Sequence, residues 1–272
     1  MTTIDSPETY TGHPELTVAL EDGVLSLTLN RPDSLNSLTA AMLRTLADAL
    51  EQAAGDPRVR VVRLGGAGRG FCSGAGISAE DQARRSGDPA ADDVLAQANR
   101  SVRAITALPK PVVAVVQGPA AGVGVSLALA CDVVVASEKA FFLLAFTKIG
   151  LMPDGGASAL VAAAIGRIRA MRMALLAERI SAIEAYDFGL VSSVHPADEL
   201  ESAVATVIDT LVSGPAISLR KTKQAINAAT LTELESAIGR EVDGQAVLLT
   251  SRDFREGTRA FQEHRRPTFT DE

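Results

Sequence analysis

Apolar and polar residues alternate along Leu16–Leu20 and again along Val24–Leu29, with Asp22-Gly23 between the two runs. Period-two alternation around an Asp-Gly pair predicts a β-hairpin. From Thr39 the period lengthens: Leu43, Leu46 and Leu50 recur at helical spacing until Gly55-Asp56-Pro57 stops the helix. Val59–Leu64 reads as a strand leading into a glycine-rich stretch, Gly65 to Gly76. Residues 79–92 are polar and predict a loop. A helix then runs to about Leu108, where Pro109-Lys110-Pro111 breaks it. Val112–Val116 is short, apolar and β-branched, as a strand covered on both faces should be. Gly118–Gly124 follows, then a helix of small residues ending near Cys131, then a strand over Asp132–Ala136.

Strand–turn–helix alternation continues to about Val194, and beyond Pro196 the pattern is helical throughout, near 198–213, 216–229, 231–250 and 252–263. The prediction is an α/β core over residues 1–195 and a helical C-terminal module over 196–272.

Composition narrows the function classes. Across 272 residues the apolar share is 47% and the aromatic share only 4%, so aliphatic side chains must form the core. A net charge of −7 argues against a nucleic-acid partner or a polybasic membrane surface. No apolar run reaches membrane-spanning length, and the polar, acidic N-terminus lacks the basic-then-apolar order of a signal peptide. A cytoplasmic protein is expected. Two distant cysteines, Cys72 and Cys131, and three scattered histidines show no metal spacing, so no metal and no resident cofactor are expected.

Chemistry concentrates in two loops, Phe71–Gly76 and Gly118–Gly124. Small residues there let a ligand approach the backbone, and the second loop opens a helix whose free N–H groups point outward. Two such donors converging on one oxygen would form an oxyanion hole. The same glycines could instead serve only tight turns and close packing. Gly74-x-Gly76-x-x-Ala79 imitates a dinucleotide fingerprint, but polar residues follow where a packed helix should run. Gly124-Val-Ser126-Leu-Ala128 imitates a nucleophile elbow, which would require His195 or His264 as base.

Five ordered segments together resemble the enoyl-CoA hydratase/isomerase (crotonase) superfamily over nearly the whole chain. They are Leu29-Asn-Arg-Pro-Asp-Ser-Leu-Asn36, Gly68–Ala75, Gln117–Asp132, Gly150-Leu-Met-Pro-Asp-Gly-Gly156 and Arg255–Pro267. The resemblance implies a spiral of ββα units and trimerisation through the C-terminal helices, as a homotrimer or a dimer of trimers. It also implies an acyl-CoA thioester as substrate and partner. Catalytic backbone donors are expected at Ala75 and Val123. CoA would be held by Arg31, Ser34, Leu35, Ser73, Gly74 and Gly122, with the adenine near Ser73 and the 31–35 loop.

Departures from the family pattern shape the expected chemistry. The two glutamates that hold water in hydratases of this family correspond here to Ser126 and Phe146, neither of them an acid. Lysines that often bind the CoA phosphates are replaced by Asp33 and Ser78, with Arg31 a partial substitute. One carboxylate remains, Asp154, at the position where several isomerases of the superfamily carry their catalytic aspartate. Desolvation among apolar neighbours would raise its pKa and suit it to a 1,3-proton shift. Asp154 could equally be the N-cap of the helix after it. Ser126 could donate to substrate or bond back into its own helix. Cys72 reads as a packed small residue.

Overall fold

The computed structural model describes residues 9–76 and 93–270. Ser78, Ala79 and the polar loop expected at 79–92 lie outside the described residues.

The predicted hairpin is present. Strands β1 (Leu16–Glu21) and β2 (Val24–Leu29) pair antiparallel with Leu16 opposite Leu29. Asp22 and Gly23 both take positive φ, 46° and 84°, the pair of angles that matches the twist of a two-residue hairpin. Helix α1 (Ala40–Gly55) starts at Thr39, whose hydroxyl accepts the Met42 N–H at 3.2 Å. Its Leu43, Leu46 and Leu50 are buried, as their spacing predicted.

The rest of the core repeats one device. Strand β3 (Val61–Gly66) leads to a bridge at Cys72. Strand β4 (Val112–Val116) leads to β5 (Pro119–Ala121) and helix α3 (Val123–Ala130), α2 being Val94–Ala107. Strand β6 (Val133–Ser137) leads to β7 (Phe141–Leu143) and helix α4 (Ala157–Leu176). In each turn the first strand joins one sheet and the second joins another. The larger sheet runs β1-β2-β3-β4-β6-β9, parallel from β2 onward. The smaller runs β5-β7-β8, with Cys72 bridging Ala120 beside it. Two strands and a helix per turn is the ββα spiral expected from the resemblance. Strands β8 (Ile180–Ser181) and β9 (Ser193–His195) flank helix α5 (Ala182–Phe188).

Four helices complete the chain: α6 (Leu200–Ser213), α7 (Ala216–Thr230), α8 (Leu234–Leu248) and α9 (Arg252–Gln262). All five residues of β4 are buried, and the two faces of the sheet explain why. Val112, Ala114 and Val116 join the main core with α1, α2 and α3, whereas Val113 and Val115 meet Leu200, Val204 and Ile208 of α6. Helix α6 is therefore a layer of the core itself, and the helical region after residue 196 shares that core. Among the described residues no single helix is long and apolar enough to cross a membrane.

Candidate active site

The site is built where loops of successive turns meet. Asn36 organises the first of them. It is fully buried at a positive φ of 58°, and its Oδ1 accepts the Arg31 N–H at 2.8 Å. Its Nδ2 lies 2.9 Å from the Ala67 carbonyl, 2.8 Å from that of Gly70 and 3.2 Å from that of Phe71. Gln117 does similar work from the far end of β4, its Nε2 lying 2.6 Å and 2.7 Å from the Gly66 and Gly70 carbonyls. One buried and one half-buried amide thus satisfy carbonyls that a glycine-rich loop cannot pair by itself.

Ser73 stitches the first glycine loop to the 31–36 loop. Its N–H donates to the Leu35 carbonyl at 2.9 Å and its hydroxyl to the Ser34 carbonyl at 2.9 Å. Leu38 N–H donates to the Gly74 carbonyl, and Gly76 N–H to the Leu38 carbonyl. The two glycine loops then lie side by side: Ala121 N–H donates to the Cys72 carbonyl at 2.8 Å. A Cβ on Gly74 would fall 2.9 Å from the Ala121 carbonyl oxygen and 3.4 Å from Gly122 Cα.

Gly74 and Gly122 have positive φ, 88° and 54°, and each immediately precedes an expected donor, Ala75 and Val123. These angles turn the following N–H away from strand pairing. Among the described residues, neither the Ala75 nor the Val123 N–H donates within the protein. Val123 begins α3, so the helix dipole reinforces its donor.

Asp154 packs against this second loop. The Ser126 hydroxyl, one turn beyond Val123, donates to the Asp154 carbonyl at 2.9 Å. A Cβ on Gly155 would lie 3.1 Å from Ser126 and 3.5 Å from Val123. The ring of Phe146 reaches the same loop, 3.7 Å from the place a Gly122 Cβ would take. Asp154 is only 8% exposed. Its Oδ2 accepts from Gln245 Nε2 at 2.6 Å, while Oδ1 is buried without a partner among the described residues. Burial pushes its carboxyl up to about 7, the Gln245 hydrogen bond opposing and the Glu241 charge assisting.

Several expectations are corrected here. Asp154 is not the cap of α4. Gly156 is the N-cap residue, and Glu241 of α8 caps the helix instead, accepting from Gly156 N–H at 2.7 Å and Ser158 N–H at 2.9 Å. Ser126 does not bond back into its own helix, because its hydroxyl is committed to Asp154. Arg31 is not a free cation for a phosphate. Its guanidinium donates to the Ser37 carbonyl at 2.9 Å and hydroxyl at 2.8 Å and pairs with Glu15 at 3.4 Å. The Ser34 and Leu35 carbonyls are likewise engaged by Ser73. Cys72 is fully buried with its thiol pushed up to about 12 by burial, so it is the packed residue expected and no nucleophile. The nucleophile-elbow pattern fails physically: Ser126 is buried in a helix, and His195 bonds Ser193 on β9.

Four polar residues carry the site yet were not singled out beforehand: Asn36, Gln117, Glu241 and Gln245. The last two had a usable signal. Leu234, Ala237, Ile238, Glu241 and Gln245 form one buried stripe on α8, so two polar residues continue an apolar face. Among the described residues no group of three or more His, Cys, Asp or Glu could hold a metal ion.

Known proteins resemble this chain in sequence and in fold. A family model described as enoyl-CoA hydratase/isomerase matches residues 19–272. The 1,2-epoxyphenylacetyl-CoA isomerase of Escherichia coli is 40% identical over 254 residues, covering 92% of this chain and 96% of that protein. The trans-2-decenoyl-[acyl-carrier-protein] isomerase of Streptococcus mutans is 32% identical, covering 94% and 98%. A crystal structure of an enoyl-CoA hydratase from Mycobacterium avium subsp. paratuberculosis superposes with a TM-score of 0.88 at 66% identity, covering 94% of this chain and 99% of that one.

Proposed function

Because this chain belongs to the enoyl-CoA hydratase/isomerase family, we propose that it binds an enoyl-CoA thioester and moves the double bond by proton transfer through Asp154. The observation that carries this reading is a buried carboxylate with one unpartnered oxygen beside the second glycine loop. Asp154 takes a proton from C2 or C4 of the acyl chain. The C–H electron pair passes into the conjugated thioester and the carbonyl oxygen becomes an enolate. Ala75 and Val123 N–H groups stabilise that oxygen, and Asp154 returns the proton to the other carbon. Atoms and charge balance without any further reactant.

Two considerations favour isomerisation over hydration. The positions matching the family's water-holding glutamates are Ser126 and Phe146; the first has its hydroxyl committed and the second is an apolar ring. In addition, a carboxyl near pH 7 suits a base that both takes and returns a proton. One name among the relatives, a trans-2-decenoyl-[acyl-carrier-protein] isomerase, accords with such chemistry.

Assembly as a homotrimer or dimer of trimers is part of the same proposal. Ile168, Met171, Leu175 and Leu176 project from α4, each at least 42% exposed, as an apolar face suited to a second copy. Light scattering of the purified chain tests it, a monomer being the contrary result.

The reaction is tested by mass spectrometry of 2-enoyl- and 3-enoyl-CoA incubated with the protein in D2O, beside Asp154→Asn. Deuterium uptake with bond migration that disappears in the variant is the expected result. Rapid formation of 3-hydroxyacyl-CoA would replace the reading with hydration, and tight binding without conversion would make the protein an acyl-CoA carrier.

A further inference from the structure

The residues that hold Asp154 come from a helix far away in the chain, and they treat its two oxygens differently. Gln245 Nε2 lies 2.6 Å from Asp154 Oδ2 and 3.0 Å from the Met152 carbonyl oxygen. A backbone carbonyl can only accept, so the Met152 contact fixes which end of the amide is nitrogen. Reversing the amide would set Gln245 Oε1 against the Met152 oxygen, two acceptors face to face. Oδ2 is therefore held as an acceptor, while Oδ1 is buried without a partner among the described residues. One turn earlier on α8, Glu241 grips the start of α4 through the Gly156 and Ser158 N–H groups, directly after Asp154 and Gly155.

We propose that Gln245 and Glu241 are positioning residues of the Asp154 base: Gln245 reserves Oδ2 so that the transferred proton travels on Oδ1, and Glu241 seats the helix start that aims it. This rests on the proton-transfer reading above, and extends it by assigning an oxygen and two residues to the step. When the C–H bond breaks, its proton forms the Oδ1–H bond, and the same proton leaves Oδ1 for the other carbon. The amide stays donor to Oδ2 throughout, so the carboxyl does not need to rotate between the two half-steps.

The neighbours of Asp154 are few in charge. Among the described residues, Ser126 of α3 bonds its carbonyl, Gly155 follows it in the turn before α4, and α8 brings the neutral Gln245 and the carboxylate Glu241. The donor from Gln245 favours the ionised form and the Glu241 charge opposes it. The two residues must consequently move the titration of Asp154 in opposite directions, which a merely structural role would not do.

The test is a direct titration of Asp154 by carbonyl-carbon NMR of 13C-aspartate-labelled protein, assigned with Asp154→Asn, in wild type, Gln245→Met and Glu241→Gln. Gln245→Asn is a second variant that shortens the amide and keeps the helix polar should Gln245→Met fail to fold. The midpoint is expected to rise when the Gln245 donor is lost or withdrawn and to fall in Glu241→Gln. Beside it, kcat/KM for exchange at pH 6 should drop roughly tenfold in Gln245→Met, the effect of losing one hydrogen bond to a charged group, with KM little changed. Unmoved midpoints in both folded variants would overturn the proposal. Because the titration requires no turnover, it stands apart from the reaction itself: midpoints that shift as expected without Asp154-dependent exchange would overturn the isomerase reading and leave the assignment of the two oxygens in place.

Discussion

Two aspartates in this protein are drawn out of water in opposite ways. Asp132 lies between α3 and β6, where its N–H donates to the Val112 carbonyl at the start of β4, with its side chain 20% exposed. Its Oδ2 accepts from the Val112 N–H at 2.7 Å and from Lys223 Nζ at 2.9 Å. Burial raises its pKa, and the lysine and backbone donors work against that rise. Among the described residues Asp154 has no cation: its side chain accepts from the neutral amide of Gln245, the charge that acts on it is the Glu241 carboxylate, and Oδ1 has no partner. Both residues suffer desolvation, but among the described residues only Asp132 has a cation opposing it. A paired carboxylate tying three elements together serves structure, whereas one left without a cation costs stability and, on the proposal above, exchanges a proton.

The sharpest way to break this contrast is to remove each acid. Asp154→Asn should lower proton exchange by roughly 10²- to 10⁴-fold, the usual worth of a positioned general base, while circular dichroism stays native. Asp132→Asn should leave kcat unchanged. An Asp132 variant that abolished exchange while remaining folded would dissolve the distinction.

The next effect concerns stability against pH. The carboxyl of Asp154 titrates near 7 in the folded chain and near the ordinary carboxylate range when unfolded, so between those values the folded state binds the extra proton. Folding stability contributed by this group therefore declines as pH rises from about 4 to about 7 and is level above it. Asp154→Asn removes that loss. It should be the more stable protein at pH 8, by at most on the order of 4 kcal/mol, with the difference shrinking toward pH 5. Urea unfolding at both pH values checks the sign, and a less stable variant at pH 8 would contradict it.

Lys223→Met should show the reverse pattern. It strands Asp132 and frees the Ile105 and Lys110 carbonyls that Lys223 now satisfies, at a cost of about 2 kcal/mol for a partly exposed pair. Smallest is Arg31→Met. With its guanidinium spent on Glu15 and Ser37, it should cost about 1 kcal/mol of stability and leave CoA affinity by calorimetry nearly unchanged. A large loss of affinity there would return Arg31 to the ligand.

What could be read from the chain beforehand follows the range of the interactions. The hairpin, the capped helix after Thr39 and the buried strand 112–116 are local in origin, and each appears where its pattern placed it. The glycine loops were legible because positive φ and close approach demand glycine at Gly74 and Gly122. Asp154 was legible as a candidate through its motif. Its surroundings were not, since Gln245 reaches Asp154 from 91 residues away and Glu241 reaches Gly156 from 85. For the same reason Arg31 read as a cation awaiting a phosphate: nothing local announces that Glu15 and Ser37 fold against it. The described residues after 196 are helical or irregular, but α6 packs on β3, β4 and β6, which no local pattern reveals.

The central claim is that Asp154, free on one oxygen and ionising near pH 7, is the base. The most direct measurement is the pH dependence of deuterium exchange into 3-enoyl-CoA, wild type against Asp154→Asn. Exchange by the wild type should climb with pH as the carboxyl loses its proton, with a midpoint near 7, and the variant should show a flat, residual rate. A variant that retains the same rate and the same climb would contradict the account.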